Sequence, residues 1–322
     1  MTAEKNLKIA FVGAGRMGRE HLHAFRGLPG VSLSGITSRT RARAEALAAE
    51  FGVERVYDGI DEMQAGTGAD VVVVAVPELE ANAVLKACFA YPWLVFAEKP
   101  VGVDLTDALD IQQAARAAQA RVLVGLNRRF MSSTMAARVD LQADPAPRYI
   151  HVQDQQDFAT GQALGYPQAV VANWMYGNSI HVIDYLCAFG RGGVTRVTEI
   201  EPWRPEAPGL VLARIDFASG DVGLYQALWH APGPWACTIV TPRRRWEMRP
   251  LEKAVFQNAG ERVLHAVDAA VEDAEFKPGF RGQARGVVAA ARGQAHEVPD
   301  LDEATRTMSL IANLYAAGPG RL

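Results

Sequence analysis

Cysteine is scarce. The 322-residue chain has three, Cys88, Cys187 and Cys237, widely spaced and odd in number. They offer neither a disulfide framework nor a metal-ligand cluster, so no metal site is expected and a reducing compartment fits. Long apolar runs are missing too: none approaches the roughly 20 residues of a membrane span. The opening MTAEKN lacks the apolar core of a signal peptide, so the mature protein is expected to begin there and to be cytoplasmic. Neither charge sign dominates, with 33 Lys and Arg against 36 Asp and Glu, net −3. That balance gives no reason to expect nucleic acid or an anionic membrane as partner. There is no internal repeat, low-complexity tract or long linker. What remains is a chain of ordinary apolar content, long enough for about two domains with separate cores.

The organising stretch is the start, LKIAFVGAGRMGREHLHAF, residues 7–25. A buried strand ends in a G-x-G-x-x-G turn, and a helix follows. In the dinucleotide reading Gly13 permits the tight turn, Gly15 lets a pyrophosphate approach the backbone, and Gly18 lets the helix lie close to the strand. The helix start then offers free N–H groups and a positive dipole end to the phosphates, which makes Gly13, Ala14, Gly15, Arg16, Met17 and Gly18 candidate cofactor contacts. His21 and His23 on this helix have no supporting pattern and are read as structural.

The second strand, VSLSGIT, ends where an acidic residue would hold the adenosine ribose. The sequence has Thr37, Ser38 and Arg39 instead. A hydroxyl followed by a guanidinium suits a 2′-phosphate, which favours NADP over NAD. The bland alternative is that Ser38 caps the next helix and Arg39 is solvated. Continuous valines in ADVVVVAVP indicate a strand buried on both faces, with Val76 and Pro77 at its carboxyl end beside the dinucleotide. Cys88, in the apolar pattern of the next helix, reads as a core residue. Strands and helices alternate to about Gly125. This implies a doubly wound parallel sheet of Rossmann type over 1–125 and a second domain over 126–322.

The second half reads as α+β. A helix after Asn127, a strand in RYIHVQDQQ, an irregular loop over 158–176 and a helix over 179–189 come first. A hairpin then turns at Ser219-Gly220, two strands follow over 235–241 and 245–248, and a helix closes over 301–317. Arg243, Arg244 and Arg245 are expected to form a solvated turn.

Two stretches carry candidate chemistry. AEKP, residues 97–100, follows a parallel strand directly, so Glu98 and Lys99 point into the cofactor crevice and Pro100 stiffens the turn. Lys99 could orient a substrate hydroxyl and stabilise developing negative oxygen. GNSIHVIDYL, residues 177–186, places His181 and Asp184 on one helix face. An imidazole is suited to take a hydroxyl proton as hydride leaves the carbon, and Asp184 could orient it or lie near the substrate.

Taken in order, GAGRMG, AEKP and the H-x-x-D stretch resemble the Gfo/Idh/MocA oxidoreductases, the glucose–fructose oxidoreductase and inositol dehydrogenase group. The resemblance covers nearly the whole chain. It implies an N-terminal Rossmann domain, a C-terminal domain with an open, mostly antiparallel sheet, and assembly as a homodimer or homotetramer through that sheet. It places Lys99 beside nicotinamide and substrate, makes His181 the acid/base, lines the same pocket with Asp184, and puts Asn127 and Arg128 where members contact cofactor or substrate. The implied activity is hydride transfer between NADP or NAD and a hydroxyl-bearing carbon of a carbohydrate-like small molecule: a sugar, cyclitol or nucleotide-sugar.

Two departures stand out. Many members carry an aspartate four residues before the histidine; here that position is Gly177, followed by Asn178. The Asn178 amide can hydrogen-bond substrate but supplies no charge. No histidine follows Pro77, where relatives often have one. Gly177 in place of the aspartate leaves a second reading, a dinucleotide-binding regulatory or sensor protein with weakened chemistry. The stretch EFKPGFRGQARGVV, from residue 275, resembles a segment of members linked to surface-polysaccharide and nucleotide-sugar biosynthesis. Otherwise it reads as a loop leading into a helix, with Lys277 and Arg281 as solvated charges.

Overall fold

The computed structural model describes residues 6–316. The chain divides into two compact units. One holds the residues up to Asn127 together with Glu275–Thr305; the other holds Arg128–Ala274 together with those from Arg306 on. A boundary at Gly125 treats each domain as one continuous stretch, whereas the chain returns to its first unit after residue 274.

The first unit alternates β1 (Leu7–Val12), α1 (Arg16–Phe25), β2 (Val31–Thr37), α2 (Arg41–Phe51), β3 (Val56–Tyr57), α3 (Ile60–Thr67), β4 (Val71–Val74), α4 (Glu78–Cys88), β5 (Leu94–Glu98), α5 (Leu105–Ala117) and β6 (Val122–Gly125). The strands form one parallel sheet in the order β3-β2-β1-β4-β5-β6. This is the doubly wound order whose switch point lies between β1 and β4. All four valines of β4 are buried, as a strand covered on both faces requires. Cys88 is buried in α4 as expected, and desolvation pushes its thiol up to about 12.

The second unit begins with a 3₁₀ turn reaching Phe130. It continues through α6 (Ser132–Gln142), β7 (Tyr149–Gln156), α7 (Phe158–Ala163), α8 (Gln168–Ala172), a π turn (Met175–Ser179) and α9 (Ile180–Phe189). Strands β8 (Val194–Glu201), β9 (Leu210–Phe217), β10 (Val222–Trp229), β11 (Ala236–Val240), β12 (Arg244–Met248), β13 (Ala254–Asn258) and β14 (His265–Val267) follow. With β7 they make an eight-stranded sheet in the order β14-β13-β12-β11-β7-β10-β9-β8. Every pairing in it is antiparallel except β7 with β10. Burial alternates along β7 and β10, so one face of the sheet is dry, and α9 packs on that face across β7 and β11. Then come α10 (Val271–Glu275), α11 (Phe280–Ala291) and α12 (Leu301–Leu314). Ala317, expected at the end of the last helix, lies outside the described residues.

Two expectations are corrected. The stretch 158–176 is not an irregular loop: Asp157 caps α7 by accepting from the Ala159 N–H at 2.9 Å, and Pro167 starts α8. Five- and six-residue helices are too short to show a helical period. Nor are the arginines at 243–245 simply solvated. Arg243 and Arg244 both pair with Asp140 of α6, at 2.8 and 2.7 Å, and Arg244 stacks on Phe256.

Candidate functional site

The glycine turn shows which residues the protein itself demands and which it leaves to a ligand. Gly13 has φ +107°, and a Cβ there would lie 2.1 Å from the Ala75 carbonyl oxygen. A Cβ on Gly18 would lie 2.2 Å from the carbonyl oxygen of Gly13, so helix and turn touch backbone to backbone. Gly15 is different: a Cβ there would meet nothing within 4 Å. Packing therefore explains Gly13 and Gly18 but not Gly15. Gly15 is the N-cap of α1 and caps it with no side chain, and the first turn of α1 carries no carboxylate. Backbone N–H groups without a side-chain cap, an absent Cβ and no competing negative charge fit a dinucleotide pyrophosphate. Arg16 is exposed and Met17 half-buried beside this turn, and Ala14 is buried beneath it.

At the end of β2, Ser38 Oγ accepts weakly from the Thr40 N–H at 3.4 Å. It does not cap α2, whose N-cap Thr40 makes no side-chain cap bond either. Arg39 is 79% exposed and pairs with Glu80 of α4 at 2.9 Å.

Val76, Glu98 and Lys99, three positions of the predicted site, line one shallow pocket at the carboxyl ends of β4 and β5 together with Pro100. Pro77, also predicted, is exposed as the N-cap of α4. Beneath the pocket lies a pair that sequence reasoning missed. His21, 1% exposed, meets Glu98 Oε1 through Nε2 at 2.7 Å, while the other oxygen of Glu98 accepts the Lys99 N–H at 3.1 Å. Phe96 and Phe280 flank the imidazole. Burial alone would raise the Glu98 carboxyl. The hydrogen bond from His21, with the charges of His21, Lys99 and Lys277, outweighs it and holds the carboxyl below its ordinary range. His21 thus belongs to the base of the candidate site rather than to the apolar core alone.

Lys277 and Arg281 are corrected as well. Lys277 is half-buried; its Nζ donates to Met17 Sδ at 3.1 Å and lies over the Phe280 ring. Burial, with the charges of Lys99 and Arg16, lowers its ammonium below the usual lysine range against the pull of Glu98. Arg281 donates to the Ala24 and Arg26 carbonyls at 2.6 and 2.8 Å and so fastens α11 to α1. Asn127, expected at the cofactor, is 5% exposed, and its amide donates to the Pro278 carbonyl at 2.9 Å. It anchors the turn that carries Lys277.

In the second unit, Arg128 and His181 meet around a residue that carried no sequence signal. The Arg128 guanidinium stacks on Trp235 at 4.8 Å, and the His181 ring lies 6.0 Å from the same indole. Arg128 also pairs with Glu252 at 3.2 Å. Asp184 is reassigned. It is 3% exposed; Arg129 takes both its oxygens at 2.7 Å, and Thr307 donates to one of them at 3.0 Å. Its carboxylate ties α9 to the 3₁₀ turn and to α12. Asn178, one turn before His181, donates through Nδ2 to Gln156 Oε1 at 2.9 Å.

A glycine turn at the switch point of a parallel sheet, with a lysine and a buried carboxylate at the next strand ends, defines a dinucleotide-binding domain of Rossmann type. Residues 7–126 match the model of the Gfo/Idh/MocA oxidoreductase family, described as having an NAD-binding Rossmann fold. The chain is 32% identical over 133 residues to inositol 2-dehydrogenase of Rhizobium meliloti (strain 1021), which covers 41% of this chain and 39% of that one. The chain thus spans only about two fifths of the length of that relative. The fold as a whole is shared more widely. UDP-N-acetylglucosamine 3-dehydrogenase of Acidithiobacillus ferrooxidans superposes with a TM-score of 0.75 at 19% identity over 96% of both chains. The WlbA dehydrogenase of Chromobacterium violaceum, solved with NADH and UDP-GlcNAcA, superposes with 0.73 at 18% identity over 98% of this chain and 94% of that one.

Proposed function

We propose that this chain is an NAD(P)-dependent oxidoreductase that moves hydride between nicotinamide and a hydroxyl-bearing carbon of a sugar, cyclitol or nucleotide-sugar. The observation that carries the reading is Gly15, a glycine that packing does not require, at a helix start poised for phosphate. The similar proteins support the substrate class: one is named for inositol, one of the same fold is named for a UDP-linked sugar, and another of that fold was solved with one. Nicotinamide, when bound, supplies the hydride acceptor or donor. The residues that would hold the dinucleotide are the 13–18 turn at its pyrophosphate and Ser38 and Arg39 at its adenosine end.

In the first unit Lys99 binds and polarises the substrate oxygen, and its place is set by Glu98, which His21 holds ionised beneath it. In the second unit His181 takes the hydroxyl proton during oxidation and returns it during reduction; Arg128 and Asn178 bind the substrate's polar groups. Ser38 and Arg39 favour NADPH over NADH.

The test is turnover of myo-inositol and UDP-N-acetylglucosamine with NAD⁺ and NADP⁺. His181→Ala is expected to fold and to lose about 10²–10⁴ in rate; equal turnover removes His181 from the chemistry. Tight cofactor binding with no turnover of any hydroxylated substrate would favour instead the regulatory reading that Gly177 suggests. Arg39→Asp is expected to weaken NADPH binding more than NADH binding in parallel titrations.

A further inference from the structure

The second unit holds a carboxylate that the proposed chemistry does not use. Asp154, on the dry face of β7, is 3% exposed. Its hydrogen bonds come from uncharged donors: Tyr225 gives its hydroxyl proton to Oδ2 at 2.8 Å, and Gln156 gives an Nε2 proton to Oδ1 at 2.6 Å. Behind Tyr225 stand Tyr315, 2.8 Å away, and Trp229, whose Nε1 donates to the Tyr315 hydroxyl at 3.3 Å. Behind Gln156 stands Asn178, which donates through Nδ2 to Gln156 Oε1.

Both chains run in one direction because of what lies at their end. An ionised carboxylate accepts and cannot donate. Gln156 must therefore turn its NH₂ toward Asp154, which leaves its carbonyl oxygen facing Asn178. Asn178 must in turn present its NH₂ to that oxygen, and its own Oδ1 becomes the part of the amide able to accept a proton from a ligand. Asp154 reaches Asn178 through one intervening side chain, and Asn178 lies in the π turn, three residues before His181 of α9.

We propose that Asp154 is a positioning residue: through Gln156 it fixes the polarity of the Asn178 amide, so that the substrate site offers a hydrogen-bond acceptor to a ligand hydroxyl. This rests on the reading of Asn178 as a substrate contact. An apolar core would have filled this sheet face at less cost than a buried carboxylate. The network also explains how a position without charge acquires a fixed sense: a lone asparagine could present either end to a ligand, whereas one read out from a carboxylate presents one.

Two variants cut the chain at different points. Asp154→Asn keeps the shape but can donate as well as accept, which frees Gln156 to turn over. Gln156→Met removes the middle link and leaves Asp154 in place, so it decides the matter should the first variant fold poorly. The first readout is solvent exchange of the Asn178 side-chain NH₂ by NMR, assigned by its loss in Asn178→Asp. Losing a hydrogen bond of this kind is expected to speed exchange by about tenfold in both variants. Unchanged exchange in both overturns the proposal. The second readout uses myo-inositol and UDP-N-acetylglucosamine: for the one oxidised by the unaltered protein, KM is expected to rise about tenfold with a smaller change in kcat. Faster exchange with KM unchanged also overturns it, because the relay then ends short of the ligand. If neither compound is turned over, the assigned function is what fails, and the exchange experiment alone still decides whether Asp154 governs Asn178.

Discussion

Asp154 is held in a dry sheet face by neutral donors, and burial pushes its carboxyl up to about 6. Because the folded value lies above the unfolded one, the protein favours the protonated form: that contribution is fully present below about pH 4 and is lost as pH rises through about 6. Near neutrality the ionised group costs about 3 kcal/mol, from roughly two pKa units at 1.36 kcal/mol each. Asp154→Asn is therefore expected to raise stability to urea at pH 8, with the gain vanishing toward pH 4. Asp221 in the same unit has the opposite sign. Burial would raise its carboxyl, but hydrogen bonds from Arg191 and from the backbone of Arg148 and Arg191 hold it at about 2. Its contribution is present above the unfolded value near 4 and is lost as pH falls through about 2. The partner of Arg39, the proposed adenosine-end contact, is itself testable. Glu80 competes with any phosphate for the guanidinium. An exposed pair of this kind is worth about 0.2–1 kcal/mol, so Glu80→Gln is expected to tighten NADPH by about 1.4- to fivefold with little effect on NADH.

Helices in this protein are fastened at their ends, and the fastenings decide what each presents. Helix α1 begins on the glycine turn in backbone contact, so Gly18→Ala must move either the helix or Gly13. Loss of NADH binding, measured by fluorescence titration, is the expected result. Helix α9 is fixed by the pair of Asp184 with Arg129, both buried. Removing one partner strands a buried charge: Asp184→Leu is expected to cost about 3–5 kcal/mol in urea unfolding, and replacing Arg129 with Met as well is expected to recover much of it. A residue needed only for proton transfer would show the reverse, a stable protein with lost rate. The H-x-x-D spacing was legible in sequence; the partner of the aspartate was not. Arg129 sits fifty-five positions upstream in a short 3₁₀ turn that has no periodic signature. Trp235 escaped for the same reason, since its meeting with Arg128 and His181 is made by the sheet and not by spacing.

Across the molecule, the parallel sheet was legible because strands covered on both faces must be continuously apolar, as Val71–Val74 are. The hairpin of β9 and β10 was legible from alternation around a Ser-Gly turn. Strand β8 was not: it lies at the sheet's edge with a largely exposed pattern, so no burial period marks it. Least legible was the return of Glu275–Thr305 to the first unit, because pattern along a chain carries no record of which earlier surface a late helix covers. That return is structural for the dinucleotide-binding unit. Phe280 of α11, 2% exposed, lies against His21; Arg121 donates to the Ala290 carbonyl at 3.1 Å; and the Val124 N–H of edge strand β6 is satisfied by the Pro299 carbonyl at 2.9 Å. A fragment of residues 6–127 would expose the aromatic side of α1 and leave the β6 edge unpaired, which invites aggregation. It is expected to precipitate or to bind NADH at least tenfold more weakly than the full chain, the loss following from an unfolded fraction that binding must overcome. The same fragment joined by a flexible linker to residues 275–305 is expected to be monodisperse and to recover the affinity. Equal folding and equal NADH affinity of the short fragment, measured by circular dichroism melting and fluorescence titration, would show that the late segment only covers a unit already complete.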